Sequence, residues 1–450
     1  MTALPTIEGD FDLSASPQLR DALPGLAPAL DATEAATVLQ QTIVSAGAII
    51  ERCRPGKALY LGADGCGLRY DVEIRDESGH RRSVLLLGRV LPDDDATADY
   101  QQSVAVLADR VAGRLDAAGM RPWAALPGNL VVHRFPIDPE LPTLADAADP
   151  AVVSHVLGST LEGLQGADVV LGHYGRRERC VLRYDQNPGN AAMYGKVWTD
   201  DRGALVSDTI DALAGRLGPA AVPRLLAYVP GLRLALLEAL AGVPALAAGL
   251  SGTGPDPRRL VGDAAAVAAA LHGGDLRLPT SRAIDVELDE LRGLVDMMAT
   301  VAPELAAGFD GLLRDIVTAA AITDPLPSGP THGDFTPSQL LSDGDECGLV
   351  DFDSMAMAEP ALDLGQYLAY LRLAGAKAGV PAEALGRLFL AEYAATAGMS
   401  ADGLAARTRV YGCISLFRTT VHAWQKLKPK RAVMVFRPLA EEVACLSSPG

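Results

Sequence analysis

The chain has 450 residues, 49% of them hydrophobic and 21% charged, which is enough apolar material for two or three compact units. Its formal net charge of −17 argues against nucleic-acid backbones and anionic membranes as partners, and no run of about 18 uncharged apolar residues predicts a spanning helix. Cys53, Cys66, Cys180, Cys347, Cys413 and Cys445 are scattered without a CxxC pair, so neither a zinc site nor a disulfide framework is expected. Met1 to Asp10 carries acidic residues and no basic one. It does not read as a signal peptide, and the cytoplasm is the expected compartment.

In chain order, a helix is expected over 34–50. A hairpin follows, with Cys66–Arg75 and Arg82–Val90 as strands and Asp76-Glu-Ser-Gly79 as the turn. A helix over 98–118 comes next. The same grammar then returns: strand Arg179–Asp185, turn Asn187-Pro-Gly-Asn190, strand Met193–Trp198, and a helix over 204–217. Leu-Arg-Tyr-Asp occurs at 68–71 and at 182–185, and Gly-Arg-Val at 88–90 matches Gly-Lys-Val at 195–197. These short matches point to an internal duplication, with Arg89 in the first copy where the second has Lys196. Strands over 224–229 and 232–240 follow. Beyond Ser251 helices dominate, at 263–271, 283–299, 308–321, 363–374, 382–397 and 401–426, interrupted by loop and short strands over 331–353. A sheet-rich part before a helix-rich part makes the fold class α+β.

Phosphoryl transfer to a hydroxyl needs a carboxylate beside the attacking group, oxygen ligands for Mg²⁺ and a cation on the nucleotide phosphates. Residues 331–353 offer the first two. Asp334 lies in a His332-Gly333-Asp334 turn, Gln339 follows five residues on, and Asp351 ends the second of two short strands that flank the turn Ser342–Asp345. His332-Gly-Asp-Phe-Thr-Pro-Ser-Gln339 resembles the catalytic loop of the aminoglycoside phosphotransferase family, small-molecule kinases with a protein-kinase-like fold. Val350-Asp-Phe-Asp353 resembles that family's metal-binding segment, and Glu359-Pro-Ala-Leu-Asp-Leu364 the segment after it.

The resemblance covers about 165–445 and implies a bilobal kinase-like fold binding ATP and Mg²⁺. Asp334 would be the catalytic base and Asp351 the main metal ligand. Gln339 would be a second ligand, standing where the family has asparagine on a stem one methylene shorter. Asp353 is either a further ligand or the cap of the next turn, and Asp363 either a helix N-cap or a support for the catalytic loop. Lys196 would contact the ATP phosphates. No Glu occurs between Glu178 and Glu238, so Asp211, or else Asp208, would be its carboxylate partner. Leu171-Gly-His-Tyr-Gly-Arg-Arg177 would overlie the phosphates as a reduced glycine loop. Backbone groups from Glu238 to Leu240 would bind adenine in the linker between lobes.

The expected organisation is an N-terminal cap over 1–150, a kinase-like N-lobe over 151–243 and a helical C-lobe over 244–450. Arg89 replaces the lysine in the cap and no catalytic loop follows it, so the cap is expected to bind no nucleotide. Maltokinase-like and glucosamine-kinase-like enzymes also carry an extra N-terminal domain. The expected acceptor is a hydroxyl on a sugar, aminosugar or aminoglycoside-like small molecule, with a catalytically inactive nucleotide-binding module as the alternative. A protein kinase would need an HRD arginine and a DFG glycine, which are missing here. His332 is expected to buttress the loop, the three tryptophans to sit in cores or at the lobe interface, and Lys426–Arg431 to be a solvated helix end.

Overall fold

The computed structural model describes residues 16–446 apart from 116–118, 159–163, 165, 176–177, 186–191, 219 and 345. The turn Asn187–Asn190, Asp345, the loop residues Arg176 and Arg177, and Met1–Asp10 therefore lie outside the described residues. The N-terminal part runs α1 (Pro17–Ala22), α2 (Leu26–Leu30), α3 (Ala32–Thr42), β1 (Ile49–Pro55), β2 (Leu59–Tyr60), β3 (Cys66–Arg75), β4 (Arg81–Val90), α4 (Asp94–Val111), β5 (Trp123–Leu126) and β6 (Leu130–Arg134). The middle part runs α5 (Leu144–Ala147), α6 (Pro150–Leu157), β7 (Asp168–Gly175), β8 (Arg179–Asp185), β9 (Met193–Trp198), α7 (Arg202–Leu213), β10 (Ala220–Ala221), β11 (Leu225–Val229) and β12 (Leu234–Glu238).

The two sheets have the same topology. The first is ordered β1-β3-β4-β6-β5 and the second β7-β8-β9-β12-β11, each with its helix between the third and fourth strands. The register matches as well. Cys66, Gly67 and Leu68 face Val90, Arg89 and Gly88, as Cys180, Val181 and Leu182 face Val197, Lys196 and Gly195. Tyr70 donates its hydroxyl to the Ala29 carbonyl at 2.8 Å, and Tyr184 donates to the Ala147 carbonyl at 2.5 Å. Each acceptor precedes an aspartate two residues on, Asp31 or Asp149, that caps the next helix. A Cβ on Gly195 would lie 2.6 Å from the Tyr184 ring, so glycine there makes room for that tyrosine. The correspondence extends to Leu23-Pro-Gly-Leu-Ala-Pro-Ala-Leu-Asp31 against Leu141-Pro-Thr-Leu-Ala-Asp-Ala-Ala-Asp149, a match the strand motifs alone did not reveal.

Several element assignments differ from the sequence reading, and the helix expected over 98–118 ends at Val111. The first long helix stops at Thr42, and Ile49–Pro55 is a strand paired with β3; Gly47, at φ +80°, turns the chain between them. Leu171–Gly175 lies in strand β7 rather than in a free loop, because its backbone pairs along β8.

The C-terminal part holds α8 (Leu246–Leu250), α9 (Pro257–His272), α10 (Ile284–Ala299), α11 (Pro303–Ile322), β13 (Gly329–Thr331), β14 (Leu340–Asp343), β15 (Glu346–Leu349), β16 (Ala356–Ala358), α12 (Ala361–Ala378), α13 (Glu383–Ala397), α14 (Ala401–Gln425) and α15 (Pro429–Leu446). The basic run 426–431 is the turn into α15, with Lys426, Lys428, Lys430 and Arg431 exposed. Among the described residues no helix is long and apolar enough to cross a membrane.

The first sheet shares a core with the C-terminal helices, in which Leu68, Tyr70 and Val132 cluster with Leu291, Phe309, Phe417 and Trp424. Tyr60 meets Trp424 edge-on at 6.3 Å between ring centroids. The second sheet has one face on α5 and α6. Its other face, with Trp198, Ala235 and Leu237, joins α7 and the core of the helical part.

Candidate active site

A short antiparallel pair, β13 with β16, delivers the chain to His332. Gly333 has φ +76°, and a Cβ there would lie 2.0 Å from the Ser354 carbonyl oxygen, so the turn admits only glycine. Asp363 fixes this turn from α12. Its fully buried carboxylate accepts the backbone N–H groups of His332 at 2.7 Å and Gly333 at 2.8 Å, and faces His272 Nε2 at 3.0 Å. Asp363 is therefore the support of the His332–Asp334 turn and not an N-cap, a position that falls to Pro360. His332 Nε2 donates to the Val350 carbonyl at 3.1 Å while Nδ1 accepts the Asp334 N–H at 3.3 Å. Both ring nitrogens are thereby engaged, so the ring buttresses the loop and has no free nitrogen for base chemistry.

Two amides hold Asp334. Gln366 donates to Oδ1 at 2.9 Å and Gln339 to Oδ2 at 3.1 Å. Burial pushes the Asp334 carboxyl above the usual carboxylate range, and the neighbouring Asp351 adds to this. A carboxylate so raised is a stronger base than one in water. Gln366 stands three residues beyond Asp363 on α12, a spacing that puts both on one helix face.

Asp351 has φ +72° and ψ +62°, an uncommon conformation for a residue with a side chain. It turns the chain sharply after β15. Lys196 Nζ bonds Asp351 Oδ1 at 2.7 Å and Asp353 Oδ1 at 2.8 Å. Arg179 bonds the other oxygens, Asp351 Oδ2 at 2.8 Å and Asp353 Oδ2 at 2.9 Å. Burial raises the Asp351 carboxyl, but the two cations outweigh it and bring it down to about 2.

The structure thus brings Asp334, Gln339, Asp351 and Lys196 together. It does not bring Asp211, which is exposed on α7. Lys196 pairs instead with Asp351 and Asp353 from the Asp-Phe-Asp turn, and Asp208, the other carboxylate considered on α7, is exposed as well. Trp198 Nε1 also donates to Asp353, at 3.4 Å, so that residue orients the lysine and does not cap a turn. Glu238 ends β12 and pairs its carboxylate with Arg224 at 2.9 Å. Leu240 follows in the linker, which rejoins the helical part where Val243 and Ser342 exchange backbone hydrogen bonds. Arg179 and Gln366 were not anticipated. The signals available were a basic residue opening the strand after the glycine-containing segment, and an amide one turn beyond Asp363.

Residues 192–399 match the model of a phosphotransferase enzyme family. The match covers a little under half of the chain. The chain is a small-molecule phosphotransferase with a hydroxyl acceptor. No curated protein matches the sequence. A choline kinase from Cryptosporidium parvum aligns with 66% of this chain and 96% of its own, at a TM-score of 0.50 and 12% identity, which supports the kinase-like fold. A choline/ethanolamine kinase family protein from Mesorhizobium loti (16% identity, TM-score 0.47, 66% and 99% covered) and an aminoglycoside-3'-phosphotransferase of type VIII (23%, 0.40, 54% and 92%) are also similar.

The donor set of this phosphotransferase fits Mg²⁺. Asp351 offers a carboxylate at a sharp turn and Gln339 lies beside it, its amide nitrogen 3.4 Å from Oδ2. Among the described residues no three His, Cys, Asp or Glu side chains cluster as a complete metal cage. Mg²⁺ takes one or two carboxylates and draws its other ligands from phosphates and water. Gln339→Ala is expected to raise several-fold the Mg²⁺ concentration needed for half-maximal nucleotide binding. Gln339→Asn should keep most of the wild-type response. Calorimetry at stepped Mg²⁺ reads both, and an alanine variant indistinguishable from wild type would remove Gln339 from the ligand set.

Proposed function

We propose that this phosphotransferase moves the γ-phosphoryl group of ATP to a hydroxyl of a sugar, aminosugar or aminoglycoside-like acceptor. The observation that carries this reading is the convergence of Asp334, held by two amides and raised by burial, with the Asp351–Asp353–Lys196 cluster. Asp334 accepts the proton of the attacking hydroxyl, and Gln366 and Gln339 hold its carboxylate in one orientation. Lys196, kept extended by Asp353, steadies the nucleotide phosphates. Mg²⁺, held by Asp351 and Gln339, would neutralise charge on those phosphates. Backbone groups of Glu238 to Leu240, in the linker, would meet adenine. The acidic surface, at net charge −17, favours a cationic acceptor over an anionic one.

The intact base, lysine and carboxylates argue against an inactive module. ATP consumption across a panel of neutral sugars, aminosugars, aminoglycosides and choline tests the proposal. Mg²⁺-dependent consumption is expected with members of the first three classes. Consumption with choline alone would replace the acceptor class, and tight ATP binding without turnover on any acceptor would favour the regulatory module.

A further inference from the structure

Both oxygens of Asp351 are occupied by protein cations. Lys196 takes Oδ1, and Arg179 takes Oδ2 at 2.8 Å. Asp353 is held in the same way, with Lys196 on Oδ1 and Arg179 on Oδ2. Two cations therefore neutralise two carboxylates where the proposed reaction needs Asp351 for a metal. A carboxylate oxygen filled by a guanidinium has little capacity left for a dication, so one cation has to leave Asp351. Burial separates the two. The side chains of Lys196 and Asp353 are 11% and 4% exposed, while those of Arg179 and Asp351 are 22% and 18% exposed. Lys196 with Asp353 is the inner pair, and Arg179 is the cation on the solvent side.

Arg179 opens β8, four residues after the end of β7, and its backbone pairs with Gly175 and Trp198. Its root is thus fixed in the sheet whichever anion its side chain meets. The guanidinium fork fits phosphate oxygens as well as carboxylate oxygens, and hydrogen bonds of this charge-assisted kind are the strong ones. On the kinase reading proposed above, we infer that Arg179 is a second phosphate-binding cation, which exchanges Asp351 and Asp353 for the terminal phosphates of the nucleotide and works beside Lys196. The balance of charge agrees. Two carboxylates and two cations cancel. When a dication joins the carboxylates and a polyanionic nucleotide arrives, each charge keeps an opposite neighbour only if the guanidinium turns to the phosphates.

Calorimetry of wild type, Arg179→Ala and Arg179→Lys with ATP, ADP, AMP and adenosine tests this, with Mg²⁺ present throughout. The alanine variant should bind ATP and ADP about 10- to 100-fold more weakly and adenosine within about twofold of wild type, the range expected for lost hydrogen bonds to a charged group. Lysine should recover part of the loss, since it restores charge without the fork. Unchanged ATP affinity in the alanine variant would overturn the assignment. So would an equal loss for adenosine and ATP, which would mark Arg179 as a structural ion pair. A wild-type protein that bound no nucleotide would instead overturn the kinase reading itself, and the assignment with it.

Discussion

Asp334→Asn is expected to lower turnover by about 10²- to 10⁴-fold, the usual cost of losing a general base, while ATP affinity stays near wild type. The amide keeps the size of the carboxylate but cannot take a proton. Gln366 and Gln339 both present Nε2 to Asp334, so the variant also sets one amide NH₂ against another and loses one of the two bonds that hold the base. The nucleotide-facing cations touch Asp351 and Asp353 and not Asp334, which is why binding should survive. Single-turnover rates and calorimetry on the same preparation separate the two effects, and full activity in the pure variant would remove Asp334 from the base role. The pH profile gives a second reading. Burial raises this carboxyl, so the base is ionised above its raised value and lost as pH falls through it. The acid limb of the wild-type rate should lie above the ordinary carboxylate range.

The second large effect concerns stability. Arg407→Ala should destabilise the helical part by about 3–5 kcal/mol, the cost of leaving one partner of a buried ion pair alone. Glu359 and Arg407 make a fork-to-fork pair, Nε to Oε2 at 2.7 Å and Nη2 to Oε1 at 2.5 Å, with side chains 11% and 3% exposed. Glu359 also accepts the Leu326 N–H and the Tyr411 hydroxyl, while Arg407 donates to the Ala320 carbonyl. Removing the guanidinium leaves the carboxylate with two neutral donors and frees a carbonyl at the end of α11. Burial raises Glu359, but Arg407 and the two donors outweigh it and hold it low. Its stabilisation is therefore present above the unfolded-state value and lost as pH falls through the lower folded one. Urea unfolding at neutral pH measures the change, and a midpoint within error of wild type would show that the pair contributes nothing net.

The catalytic turn was legible because its parts are local. His332, Gly333, Asp334 and Gln339 fall within eight consecutive residues, so their closeness in space follows from short-range geometry. The partner of Lys196 was not legible. Asp353 lies 157 residues away, and nothing in strand β9 distinguishes a carboxylate arriving from the helical part from one on the adjacent helix. Asp211, the carboxylate expected on the adjacent helix, is exposed to solvent. The repeated sheet was readable at Leu-Arg-Tyr-Asp and at Gly-Arg-Val against Gly-Lys-Val because these residues hold equivalent places in the two sheets. The first helix was overrun past Thr42 because Ile49 and Ile50 suit a buried helix as well as a strand, and periodicity alone does not separate the two in so short a run.

The second sheet meets the helical part through the linker after Glu238, through the pairing of β10 with β15 and through a shared apolar core. The N-terminal sheet unit bridges the same two parts again: Ser16 donates to the Val301 carbonyl on the helical side, and Asp138, just after β6, accepts from the Tyr174 hydroxyl of β7. Its bond to the helical part includes a shared apolar core, whereas its contact with the Tyr174 hydroxyl is a single polar one. Shifting the end of β7 past Asp138 therefore costs one hydrogen bond, while parting the N-terminal unit from the helical part would bring buried apolar side chains into water.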